Sequence, residues 1–120
     1  MRIFRFDEGA GRKMDMFGSI NCVWSKIGRL DSGAQLSCFH LGPEGKVGYH
    51  QAATRQLMLV VQGQGWVRGE AKDSIAVAPG CAAFWEKDEW HESGTPTGMM
   101  AIVIEADSLN PAEFMPAAHI

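Results

Sequence analysis

Four histidines, three cysteines and one tyrosine are the side chains best suited to ligate a metal, relay a proton or act as a nucleophile. His50 lies in the run Gly48-Tyr-His-Gln-Ala-Ala-Thr-Arg-Gln-Leu-Met-Leu-Val-Val-Gln-Gly-Gln-Gly65, which reads as a strand closed by a glycine turn. Its neighbour Tyr49 would face the opposite side of such a strand, so the two could act as a catalytic pair only across a bulge. His91 has Glu86, Glu89 and Glu92 nearby, carboxylates able to complete a zinc shell. His40 shares a strand face with Cys38 and Leu36, which suits either a second metal pair or a hydrogen-bonded core histidine. Cys22, Cys38 and Cys81 are far apart and include no C-x-x-C pair, which argues for buried free thiols over disulfides or a zinc knuckle. His119, in the tail, is assigned no role.

The elements that must position these groups read as strands. Fourteen glycines and five prolines punctuate short apolar runs, and 46% hydrophobic residues in 120 suffice for the core of one domain. Strands are expected at Arg2 to Phe6, Asn21 to Ile27, Ala34 to Leu41, Val47 to His50, Gln56 to Gln62, Trp66 to Glu70, Ser74 to Ala78 and Cys81 to Glu86. Gly42-Pro-Glu-Gly45 has the composition of a β-turn. Gly98 to Ala106 is the longest apolar run and suggests a strand buried on both faces. Asn110-Pro-Ala-Glu-Phe reads as a short helix with Asn110 as N-cap and Pro111 at the first helical position. The net charge of -3, with basic residues dispersed along the chain, excludes an electrostatic footprint for nucleic acid. No apolar stretch is long enough to span a bilayer and no signal peptide is visible, so a cytoplasmic location is expected.

Two segments carry a recognisable pattern. Gln56, six residues and Gly63 match the end of a motif whose two histidine positions fall on His50 and Ala52, although Gly45 is one residue too close to His50 to open it. Gly80-Cys-Ala-Ala-Phe-Trp-Glu-Lys-Asp-Glu-Trp-His91 matches the first glycine and the histidine of a second motif, with Glu86, Asp88 and Thr95 replacing its proline, glycine and asparagine. The chain thereby resembles the cupin superfamily, in particular its small single-domain bacterial members, over about Ala34 to Glu105. The resemblance implies an all-β, single-domain cupin-type β-barrel (a double-stranded β-helix or jelly roll). Within that one domain, residues 1–33 would pack strands on the barrel, 34–106 would form the core with both motifs, and 107–120 would be a tail with a short helix.

It also implies a site. The family's metal is held by two histidines of an H-x-H pair, a glutamate and a later histidine, all converging inside the barrel. Here alanine stands at position 52 and glutamine at 56, leaving His50 and His91 as firm donors and Gln56 as a weaker third. The expected function is therefore binding of a small, anionic or sugar-like molecule in a pocket lined by His50, Gln56, His91, Trp85 and Met58, with strong metal ligation lost and no firm cofactor. The alternative is a mononuclear metal enzyme, a dioxygenase or isomerase, holding Zn, Ni, Mn or Fe on His50, Gln56 and His91. Trp24, Trp66, Trp85, Trp90 and Phe84 would serve pocket or core. A homodimer covering exposed strand edges is expected, with neither nucleic acid nor membrane as partner.

Overall fold

The computed structural model describes residues 1–71 and 73–118; Lys72, His119 and Ile120 lie outside the described residues. Within them the chain forms β1 (Arg12–Lys13), β2 (Ile20–Arg29), β3 (Gln35–Gln51), β4 (Gln56–Gly63), β5 (Gly65–Arg68), β6 (Ile75–Val77), β7 (Ala82–Trp85), β8 (Trp90–Gly94) and β9 (Met99–Glu105). Single 3-10 turns at Glu8–Ala10, Met16–Gly18 and Pro111–Glu113 are the helical elements among the described residues. Every strand pairing is antiparallel. The result is the all-β, nearly closed barrel expected from the sequence.

The seventeen-residue β3 organises it. Residues 35–41 lie between β2 and β9, whereas 46–51 pair with β8. One strand thus belongs to two walls: β2, β3, β9, β4 and β7 on one side, and β3, β8, β5 and β6 on the other. Gly42-Pro-Glu-Gly45 is therefore not a turn between two strands but a corner within one. It is pinned from outside, because the Glu44 N–H donates to the Pro96 carbonyl (3.1 Å), the Thr95 N–H to Gly45 (3.0 Å) and the Asn21 amide to Pro43 (3.1 Å). Glu44 takes φ 59°, and a Cβ on Gly45 would stand 2.7 Å from the Gly42 carbonyl oxygen, so the bend has no room for a side chain there.

Other expectations need correction. Arg2 to Phe6 forms no strand: β1 occupies the adjacent edge of β2, and the segment is held instead through its carbonyls, with Phe6 O bonded to His40 Nε2 (3.0 Å) and Asp7 O to Ser25 Oγ (3.1 Å). The 98–106 run forms β9, but burial alternates along it, with Met99, Ala101 and Val103 at 5%, 2% and 1% exposure and the residues between them less buried. Asn110 precedes a 3-10 turn and its side chain makes no capping bond. β8, with the composition Trp-His-Glu-Ser-Gly, was not among the expected strands because its polar residues hide the alternation. The core between the walls includes Cys22, Leu41, Val47, Val60, Met99 and Val103. Each larger aliphatic side chain removed from water there stabilises the barrel by about 1.5–3 kcal/mol. Among the described residues no helix is long and apolar enough to cross a membrane.

Candidate functional site

Between the two walls lies a cavity of about 140 Å³. Strand parity places its lining. Gln56 and Met58 of β4 and Val103 and Glu105 of β9 are spaced by two residues and face it together, as do His91 and Ser93 of β8. On β3, Phe39 faces it before the corner and Val47 and His50 after. Val47 and His50 are three residues apart, a spacing that would put them on opposite faces of a regular strand. A bulge between them, where the pairing with β8 shifts register, restores the inward orientation of His50. Tyr49 remains outside, stacked on Trp90 with ring centroids 5.3 Å apart and covered by the Arg68 guanidinium, so no Tyr49–His50 pair exists in the cavity.

His50 and His91 are cross-strand partners, and their rings lie 4.4 Å apart between centroids with a 54° tilt. Each Nδ1 faces the backbone carbonyl two residues before it: Gly48 O at 2.7 Å for His50 and Glu89 O at a longer 3.4 Å for His91. A carbonyl only accepts, so Nδ1 carries the proton in both rings, and in the neutral rings Nε2 is left as a lone pair. His91 is 2% exposed, and its Nε2 has no hydrogen-bond partner among the described residues. Burial, with a further contribution from His50, pushes the His91 pKa down to about 4, so the ring is neutral near pH 7. Its unbonded Nε2 is thus a buried acceptor lacking a donor. The Trp24 indole Nε1, on another cavity-lining residue, is likewise buried without a partner.

Of the residues expected to form the pocket, His50, Gln56, Met58 and His91 line this cavity together. Trp85 does not. It shares the inward face of its β4 partner Gln56, but at 4% exposure it lies behind His91, its ring 4.4 Å away and stacked on the imidazole, and so packs into the core instead of lining the cavity. His40 bonds the Phe6 carbonyl and Ser25 and takes no part in the cavity.

Two further lining residues that bear on the chemistry, Glu105 and Phe17, were not among the expected site residues. Glu105 is half-buried at the end of the inward row of β9, directly across from Gln56, and burial raises its carboxyl pKa although His50 partly offsets this. The parity of Met99, Ala101 and Val103, continued by two residues, points to it. Phe17 stacks on His50 with centroids 4.1 Å apart and planes 7° apart, at φ 60° in the Met16–Gly18 turn. No periodicity in the sequence marks it. The close approach that seats it is visible at Gly48, where a Cβ would overlap the Phe17 carbonyl oxygen.

Among solved structures the barrel is similar to several cupins. A cupin-like protein from Thermotoga maritima superposes with a TM-score of 0.74 at 16% identity, over 86% of this chain and 80% of that one. The chain has the cupin fold. A cupin-2 domain protein from Rhodospirillum rubrum gives 0.69 at 14% identity over 83% and 69% of the two chains. The polyketide cyclase RemF from Streptomyces resistomycificus gives 0.70 at 17%, over 89% and 81%. No protein-family model matches the sequence, and no curated protein matches it either. At such identities the likeness defines the cupin barrel, while the chemistry must come from the side chains in it.

As a cupin metal centre the donor set falls short. Ala52, at the second histidine position, is 2% exposed and has no donor atom, and Gln56 offers a neutral amide. Among the described residues no three His, Cys, Asp or Glu side chains gather closely enough to hold an ion, so Glu105 does not join the two imidazoles as a third ligand. Among the described residues no lysine or arginine lines the cavity and Glu105 is its one lining carboxylate, so the expected anionic ligand would find no such cationic partner there.

Proposed function

We propose that this cupin barrel binds a small organic molecule between its walls, with the imidazoles of His50 and His91 as hydrogen-bond acceptors and aromatic side chains enclosing the ligand body. The unbonded, buried Nε2 of His91 carries this reading: an acceptor without a donor in the folded chain disfavours the empty state, by about 1–3 kcal/mol, and a ligand N–H or O–H would relieve it. The size fits a compact ligand, because a cavity of about 150 Å³ accommodates benzene. Gln56 and Ser93 add polar contacts and Met58 an adaptable apolar one.

The competing reading, a mononuclear metal enzyme on His50, Gln56 and His91, draws support from the anchored Nδ1 atoms, which leave both Nε2 lone pairs free as in metal-ligating histidines. It is opposed by the missing third strong donor. Ligand-observed NMR with a fragment set of up to about ten heavy atoms tests the first reading. Saturable binding lost in His91→Leu is expected, and a complete lack of His91-dependent binders would refute it. Melting scans with and without a chelator address the second. An ion at 100 times its Kd adds about 2.7 kcal/mol, so chelation would lower the Tm by about 10 °C if a metal were resident, and no shift is expected.

A further inference from the structure

Taking the small-molecule reading as its basis, the geometry points to a ligand that carries a protonated amine on a compact apolar or aromatic body, with the amine held by Glu105 and the body enclosed by Phe17, Trp24 and Phe39.

The first argument is charge. Among the described residues Glu105 is the one Asp, Glu, Lys or Arg that lines the cavity, and no described lysine or arginine pairs with its carboxylate. Lys26 and Arg29 line an adjoining depression that shares Trp24, Gln35 and Glu105, yet Lys26 lies over the Trp24 ring at 5.0 Å and neither cation reaches the carboxylate. A carboxylate facing a largely apolar cavity calls for a counter-ion, and among the described residues no lysine or arginine supplies one, the His50 ring only partly offsetting the burial. An anionic ligand would meet like charge there, whereas a cationic one would supply the missing partner.

The second argument is hydrogen-bond polarity. His91 presents Nε2 as an acceptor, and Glu105 is an acceptor when ionised. An ammonium group donates and does not accept, so it suits a lining of acceptors, with Glu105 as its partner. The third argument is the enclosing surface. Trp24 and Phe39 stand 6.3 Å apart in near-parallel planes, and Phe17 adds a third ring on the His50 side. Aromatic faces attract cations and pack against flat apolar bodies, so the same walls serve both ends of such a molecule.

Three probes of matched shape separate the possibilities: benzylamine, benzyl alcohol and benzoate, titrated by calorimetry into the full chain at about pH 7.5 with chelator present, where the amine is protonated and the benzoate ionised. Benzylamine is expected to bind at least about tenfold more tightly than benzyl alcohol, with benzoate weakest, and Glu105→Gln should erase the preference for the amine while preserving alcohol binding. His91→Leu should weaken both. Benzoate binding as tightly as benzylamine, or an amine preference that survives in Glu105→Gln, would overturn the inference. If the alcohol binds in a His91-dependent way and the amine no better, the pocket reading stands and the amine inference falls. Failure of all three probes to bind the wild-type chain would remove both.

Discussion

Replacing His91 with leucine tests the site through stability alone, with no ligand needed. The substitution removes a buried acceptor with no partner, which relieves about 1–3 kcal/mol. It also removes the 3.4 Å bond from Nδ1 to the Glu89 carbonyl, too long to contribute more than about 1 kcal/mol, while leucine keeps most of the packing against Trp85. A net gain of about 1 kcal/mol is expected, which for a 120-residue chain raises the Tm by about 4 °C. Acidity provides the sharper signature. About one pH unit or more above 6.5 the imidazole is neutral in folded and unfolded chains alike, and its protonation has almost no influence on stability. Between 6.5 and about 4 the unfolded chain takes up a proton that the folded site refuses, so the wild type loses stability as pH falls through that window. The loss amounts to about 2 kcal/mol by about pH 5 and about 3 kcal/mol once the folded ring titrates. Leucine has no such proton, and Glu105 and the remaining carboxylates are common to both proteins. Melting scans from about pH 7.5 down to about pH 5 should therefore show the two Tm values diverging by about a further 8 °C. Parallel curves over that range would mean that His91 is not a buried neutral imidazole and would undo the argument for the site.

Other expectations concern the scaffold. Gly48→Ala should displace the Phe17 turn, lowering stability by about 1–3 kcal/mol, while Gly28→Ala, with open space around its Cβ, should leave it unchanged or raise it by up to about 1 kcal/mol; denaturant melts compare them. Native alkylation near pH 8 should modify Cys81 first and spare Cys22 and Cys38, both fully buried, with the Cys22 thiol pushed up to about 12 and that of Cys38 also raised by burial; mass spectrometry reads one adduct natively and three in denaturant. A homodimer is proposed to cover the apolar surface at Ile3, Phe4, Ile20 and Ile27, and sedimentation should give twice the chain mass, falling to the monomer in an Ile3→Ser, Phe4→Ser double variant.

What could be read from the sequence follows from which rules are local. Gly63 and Gly80 both take the left-handed conformation, at φ 79° and 93°, so the motif glycines mark turns that only certain backbones permit and the register between the motifs was readable. That register placed His50 and His91 side by side, as their cross-strand pairing bears out. Glu105 was missed because a long apolar run hides its parity, and Phe17 because a stacking contact across 33 positions leaves no trace in either segment's own pattern. The corner at Gly42–Gly45 was misread for a related reason: proline and two glycines fit a turn and a bent strand equally well, and only the bonds from Asn21, Thr95 and Glu44 distinguish them.

That corner also governs how a guest could arrive. With β3 common to both walls and its bend bolted by bonds on three flanks, the barrel cannot gape like a clamshell without breaking several of them at once. The Met16–Gly18 turn is tethered more lightly, through Gly48 and Ser19, so a guest is expected to enter past Phe17, with exchange rates that track that ring's mobility while the walls stay still.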